Sequence, residues 1–160
     1  MSAHHIFGTA SLGELRGVHP LLIEFAQRTL TISLVDFAVH DGLRTLAEQK
    51  EYVRTGVSQT MESKHRVQDD GFGHAVDLVP VINGKKRWEW PPIYEIAAAA
   101  SIASTDLGLG IRWGGAWIQI RGLENPTPAS MKALVDAYGA RKRAAGKPSF
   151  PDGPHFELFP

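Results

Sequence analysis

Cysteine is absent from the 160 residues. That removes disulfides and thiolate metal ligation together, so a metal would have to rest on His, Asp or Glu. Net charge is absent too, because 17 basic side chains balance 17 acidic ones. The chain therefore has no overall electrostatic footprint for nucleic acid or an anionic membrane, and a polymeric partner must be recognised locally. No apolar run is long enough to span a bilayer. Met1 to Leu22 lacks the basic segment followed by an unbroken apolar stretch that marks a secretory signal. The expectation is a soluble monomer, made without a cleaved Sec signal, that engages neither nucleic acid nor membrane.

What is present fits one domain over residues 1–160, since 43% of the residues are hydrophobic and can close a single core at this length. Apolar residues at helical spacing predict a helix over 17–30, after a Gly/Ser-rich start read as frayed or loosely docked. The β-branched run 32–39 predicts a strand that ends at His40-Asp41-Gly42. Thr45, with Glu48 three residues on, caps a helix over 46–55 that Gly56 stops. Residues 75–82 predict a core strand, turning at Asn83-Gly84 into a hairpin over 85–90. Pro91-Pro92 opens an alanine-rich helix to about Leu107, Ile111 to Trp113 reads as a strand, and a further helix runs from 126–129 to about Ala145. Gly146, Pro148 and Pro151 then force an extended path into Asp152.

Three segments carry polar residues suited to chemistry: Ser63-Lys64-His65, Gly73-His74-Ala75-Val76-Asp77, and Asp152-Gly153-Pro154-His155-Phe156-Glu157. Two imidazoles and a carboxylate are a ligand set that binds Zn²⁺ while leaving a fourth position open for water, which becomes a nucleophile near neutral pH. Of the seven histidines, His4, His5, His19 and His40 read as surface or core imidazoles, whereas His65, His74 and His155 stand beside glycines and carboxylates.

The pattern Gly42-Leu43-Arg44-Thr45, Gln49, Gly56-Val57-Ser58, Ser63-x-His65, Gly73-x-Ala75-Val76-Asp77, Trp113-Gly114-Gly115-x-Trp117 and Asp152-x-x-His155-Phe156-Glu157 resembles the phage L-alanyl-D-glutamate endopeptidases. These are endolysins of the VanY-like D-alanyl-D-alanine carboxypeptidase superfamily. The match runs from about Val39 to the C-terminus. The resemblance implies an α+β fold, Hedgehog/DD-peptidase-like, with a small, mainly antiparallel sheet flanked by helices. It implies His65, Asp77 and His155 as ligands of one Zn²⁺ ion, Asp152 as general base, and Arg44 as the cation facing the oxyanion. The substrate implied is the peptidoglycan stem peptide, cut at the L-Ala–D-Glu bond for phage or prophage lysis. The enzyme would be made in the host cytoplasm and reach the wall after holin-type release.

Around that core, Ser58 and Ser63 read as substrate donors or supports of the ligands, with Ser63 alternatively a plain turn residue. Glu157 shares a strand face with His155 and so can orient that ligand, the preferred reading, or meet substrate. Trp113 and Trp117 read first as core, and alternatively as flat walls of the cleft for a peptide or sugar. Asp152 could instead cap a turn, and Arg44 could be a solvated residue at a helix start.

Three departures stand out. Arg66 to Phe72 lengthens the stretch after His65, so His65 and His74 both remain candidates for the first ligand. His65 is favoured, because His74 and Asp77, three apart on a strand, face opposite ways. The Val67–Gly71 insertion reads as a solvated turn, a lid, or a second cation site. Ala116 stands where many relatives have Asp, and the long segment to Pro151 carries a basic helix over 128–145 with Lys132, Arg141, Lys142 and Arg143, followed by Lys147. This helix is a solvated face or a holder of anionic wall groups. The competing functions are a D-Ala-D-Ala carboxypeptidase or dipeptidase of wall maturation and a non-catalytic, metal-stabilised wall-binding module.

Overall fold

Alternation along β-strands decides which side chains meet at the site. The computed structural model describes residues 5–160, so the reading of His4 lies outside the described residues. The described helices are α1 (Thr9–Glu14), α2 (Pro20–Ile32), α3 (Leu46–Arg54), α4 (Trp90–Leu107) and α5 (Pro128–Ala144). The strands are β1 (Phe37–Asp41), β2 (Ala75–Ile82), β3 (Lys85–Lys86), β4 (Ile111–Trp113), β5 (Ile118–Gln119) and β6 (His155–Leu158). The sheet runs β1-β2-β6-β4-β5, with β3 on the end of β2, and every pairing is antiparallel. The fold is α+β, as expected.

Register sorts the sheet into two faces. Val39, Leu78, Val76, Phe156 and Trp113 are buried and join the residues of α2 and α4 in one hydrophobic cluster. The alanines 97–100 keep the surface of α4 low, so α2 can pack closely against it. Phe25 of α2 meets Phe156 with ring centroids 5.8 Å apart. Burial of a phenylalanine contributes about 1.5–3 kcal/mol, and here it also pins β6, whose alternate residues His155 and Glu157 face the other way.

On that opposite face, Asp41, Asp77 and His155 are cross-strand partners in one row, while Ala75, Glu157, Arg112 and Gln119 form the next. A bulge between Val39 and Asp41 sets the first row, because the extra residue His40 lets Asp41 take the place opposite Asp77.

Most helix signals act as expected. Thr45 and Glu48 form a capping box, and Asn83 and Gly84 both take positive φ (53° and 74°), as a type I′ turn requires. The helix expected over 17–30 is shorter at its start, where His19 Nδ1 accepts from the Leu21 N–H at 3.1 Å and Pro20 takes the first turn.

Three expectations are corrected. The strand expected over 32–39 begins only at Phe37, because Ile32 closes α2 and Ser33 turns the chain, its N–H donating to Thr29 O and its hydroxyl to Val35 O. A short apolar run does not reveal where helix yields to strand. The start of the chain is not frayed where described, since α1 docks on β1 through buried Ser11, whose hydroxyl accepts from the Val39 N–H. The hairpin strand after Gly84 lasts two residues before the chain turns into α4 at Trp90.

Candidate metal centre and its cleft

His65 lies in the segment between α3 and β2, 1% exposed. Its backbone is fixed from both sides: its N–H donates to Ser63 Oγ at 3.1 Å, and its carbonyl accepts from the Arg44 N–H at 2.8 Å. The ring's Nδ1 is 2.8 Å from Gly42 O, which can only accept, so Nδ1 carries a proton and Nε2 is the nitrogen turned into the site. That Nε2 lies 3.1 Å from Asp77 Oδ1.

His155 is the mirror case. Its Nε2 donates to Glu157 Oε1 at 2.8 Å, leaving Nδ1 3.4 Å from the same Asp77 oxygen. One donor atom each from His65, Asp77 and His155 therefore converge within 4.8 Å of one another, all buried. This group could hold a metal ion, and each imidazole is already oriented by a hydrogen bond at its far nitrogen, as metal-binding histidines are.

Asp77 is held at both ends, since its Oδ2 meets Arg44 Nη2 at 3.3 Å. Arg44 is not the solvated residue that a helix start suggests. It is 8% exposed, with Nε on Asp41 at 2.5 Å, Nη1 on Gln49 at 3.2 Å, and its guanidinium 4.4 Å from the Tyr52 ring centre. Gln49 is in turn tied to Ser58 Oγ and Thr60 O. Ser58 thus braces this network, and Ser63 braces the His65 backbone.

The electrostatics follow from the crowding. Burial acts to raise the Asp77 carboxyl, but the two imidazoles hold it well below the usual carboxylate range. Burial opposes charge on the His155 ring, yet Asp77 and Glu157 at its two nitrogens push it up to about 10. Asp152 is raised to about 6, first by burial and then by the Asp77 charge, against the pull of His155, His65 and Arg44.

Asp152 is placed by a close approach. Its N–H donates to Gly114 O at 2.8 Å, and its carbonyl accepts from the His155 N–H at 3.2 Å. A Cβ on Gly114 would sit 2.5 Å from Asp152 O and 2.9 Å from His155 Cβ, so only glycine fits. Trp113 is core, as read first, with Nε1–H on Gly153 O at 2.7 Å. Trp117 instead lines the cleft, its ring centre 5.3 Å from that of His155.

Arg44, His65, Asp77, Asp152, His155 and Glu157 line one cleft of about 830 Å³. His74 does not join them. Its Nε2 meets Asp70 Oδ2 at 2.7 Å, beside His19. The Val67–Gly71 insertion is a closed turn, with Gln68 N–H on Phe72 O and Asp70 engaged by His74 and the Phe72 N–H. Among the described residues, His65, Asp77 and His155 are the one group of three with metal-ligand spacing. Of the basic residues in and after α5, Lys142 lines the cleft. Asp41 was missed from sequence because Asp-Gly after a strand reads as a turn. Its signal was the acidic end of an apolar strand, which needs a cationic partner.

Comparison with known proteins identifies the family. The family described as phage L-alanyl-D-glutamate peptidase matches residues 3–127, which takes in Arg44, His65 and Asp77 and ends before Asp152 and His155. The L-alanyl-D-glutamate peptidase of Escherichia phage T5 is 33% identical over 115 residues, 69% of this chain and 80% of that protein. The crystal structure of the Serratia marcescens L-Ala D-Glu endopeptidase ChiX matches with a TM-score of 0.68 at 36% identity, covering 96% of this chain and 90% of that one. The chain belongs to the phage L-alanyl-D-glutamate peptidase family.

Proposed function

We propose that this protein is a zinc-dependent peptidoglycan hydrolase that cuts the stem peptide at the L-Ala–D-Glu bond. The observation that carries the reading is the buried convergence of His65, Asp77 and His155 at the floor of a cleft that Asp152 also lines. Two imidazoles and one carboxylate, with no sulfur, suit Zn²⁺. A zinc ion held there would supply Lewis-acid activation of a water and stabilise developing negative charge.

The chain's own residues do the rest. Gly42 O and Glu157 fix which nitrogen each imidazole presents. Arg44 clamps Asp77 and keeps cationic N–H groups beside the site, where they oppose charge developing on the substrate carbonyl oxygen. Asp152, as the carboxylate, takes a proton from the attacking water and delivers one to the leaving amine. Its raised pKa brings proton affinity closer to working pH. The activity named for the T5 and Serratia relatives supports the L-Ala–D-Glu bond over D-Ala–D-Ala. The ionisable pair of Asp152 and the ligand group supports turnover over a binding-only role. In this reading the enzyme is a monomer made in the host cytoplasm that lyses the wall after holin-type release.

The test is mass spectrometry of peptidoglycan fragments released by the zinc-loaded protein, beside His65→Ala and Asp152→Ala. New N-terminal D-Glu ends, lost in both variants, are expected. Release of free D-Ala would replace the reading with a carboxypeptidase, and no release from folded, metal-loaded protein would overturn it.

A further inference from the structure

One wall of the cleft carries two cations with no carboxylate at ion-pair distance among the described residues. Arg112 and Lys142 both line the cleft and are partly buried, and neither enters an ion pair among the described residues. Arg44, by contrast, is engaged by Asp41 and Asp77. Glu157 is the cross-strand partner of Arg112; burial acts to raise its carboxyl, which His155 and then also the Arg112 charge lower, but it makes its short contact to His155, through Oε1.

The two cations are mounted on aromatic rings. The Arg112 guanidinium lies 5.2 Å from the Trp117 ring centre, and Lys142 Nζ lies 5.8 Å from that of Tyr138. One hydrogen-bonded chain joins the rings: Trp117 Nε1–H donates to Phe150 O at 2.7 Å, and the Phe150 N–H donates to Tyr138 Oη at 3.1 Å. Of the Arg112 N–H groups, Nε–H goes to Trp117 O at 3.3 Å. The fork of its two terminal nitrogens shows no acceptor among the hydrogen bonds of the described residues. A buried-side cation with free donors, held over a ring, is poised to accept an anion.

Place decides which anion. Asp152, which follows Phe150-Pro151 directly, marks the side on which the leaving amine departs. In an L-Ala–D-Glu stem peptide linked onward through the side-chain carboxyl, the leaving residue bears a free α-carboxylate one carbon from that nitrogen. That carboxylate must settle beside Asp152 and His155, whose ring packs against Trp117.

We propose that Arg112, seconded by Lys142, forms a carboxylate subsite that binds the free α-carboxylate of the D-glutamyl residue on the leaving side of the scissile amide. This rests on the proposed peptidase reading and assigns the specificity of the same cleft. It makes the enzyme selective for stem peptides whose D-glutamate is free over those in which it is amidated to D-isoglutamine. Amidation removes the charge and one acceptor while leaving shape nearly unchanged.

The experiment compares two synthetic stem peptides, D-isoglutamate and D-isoglutamine, with wild-type, Arg112→Gln and Lys142→Ala proteins. The wild type is expected to favour the acid in kcat/KM by about tenfold or more, the scale of a hydrogen bond to a charged group. Arg112→Gln should bring the ratio near unity mainly by slowing the acid, and Lys142→Ala should lower it in part. Calorimetric binding of D-isoglutamyl and D-isoglutaminyl dipeptides to metal-free wild-type protein should show the same order without turnover. Equal use and equal binding of both forms by the wild type would overturn the subsite, whether or not the variants fold. So would an Arg112→Gln protein that slows on both peptides equally. Cleavage of neither peptide, with acid-selective dipeptide binding retained, would count against the peptidase reading and leave the carboxylate site standing.

Discussion

His155 and Glu157 stand two apart on β6, and the imidazole Nε2 donates to the Glu157 carboxylate at 2.8 Å. That bond presents Nδ1 to Asp77. Cutting Glu157 back to Ala should therefore free the ring to rotate and change tautomer. The expected loss is about 10–100-fold in zinc affinity, measured by competition with a chromophoric chelator. Glu157→Gln keeps an acceptor at the same place and should lose less. Equal affinity for wild type and Glu157→Ala would show that β6 packing alone orients His155.

Asp152 gives the pH dependence its sign. Its carboxyl is raised to about 6 by burial and by the Asp77 charge, and the base form is the ionised one. Activity should thus be present above the limb and fall as pH drops through it. A bound dication pulls the pKa down, so the acid limb of kcat/KM belongs at or below about pH 6. Asp152→Asn should remove this limb and slow kcat by about 10²–10⁴-fold, with zinc affinity nearly unchanged. A variant that keeps the wild-type pH profile would assign the limb elsewhere.

The legible part of this site was the part written in short motifs. Ser-x-His, Ala-x-Asp and Asp-x-x-His-x-Glu each place a polar residue at a turn or on one strand face, and alternation alone predicts that His155 and Glu157 share a side. What sequence hid was mostly register. Nothing local says that a bulge at His40 brings Asp41 opposite Asp77, or that Asp77 closes the carboxylate cage around Arg44, because those relations join residues 33 or more apart. The start of β1 is hidden for a related reason: the three apolar residues Ile32, Leu34 and Val35 fit a helix end as well as a strand start, and only the Ser33 turn decides. Lys142 reaches the cleft through the path of α5, which periodicity does not reveal.

Metal removal should cost both stability and a proton balance. The His155 ring is raised to about 10, so at neutral pH it holds a proton on the nitrogen facing Asp77 that a cation must displace. Zinc binding should release about one proton, read from calorimetry in buffers of different ionisation enthalpy. In metal-free protein the raised ring contributes stability that is full below its unfolded value, near 6.5, and is lost as pH rises through about 10. Chelated protein should then melt progressively lower across that window, while the zinc-loaded protein should not. Parallel melting curves with and without chelator would remove the metal from the site.

Arg44→Lys tests whether shape or charge matters in the cage. The guanidinium reaches Asp41, Gln49 and Asp77 with three different nitrogens while lying on Tyr52, and an ammonium cannot hold those directions together. Charge is kept, so the variant should fold, but Asp77 loses its clamp and Gln49 is left with an unpaired buried carbonyl. A stability loss of about 1–3 kcal/mol is expected from that group, together with weaker zinc binding and a lower kcat.

Gly114→Ala separates positioning from chemistry. The added methyl would meet Asp152 O at 2.5 Å and His155 Cβ at 2.9 Å, both of them backbone or near-backbone atoms of the segment that carries the proposed base and a ligand. No flexible side chain can move aside, so the 150–155 segment itself must shift. Overpacking of this kind costs about 1–3 kcal/mol, which a folded domain can survive. Catalysis should suffer more than stability, because a displacement on the order of 1 Å at reacting groups slows an enzyme about 10²-fold. Melting temperature and kcat measured on the same preparation decide it. A modest drop in the first with a large drop in the second places Gly114 among the residues that set the Asp152–His155 geometry, whereas proportionate losses would make it a packing residue alone.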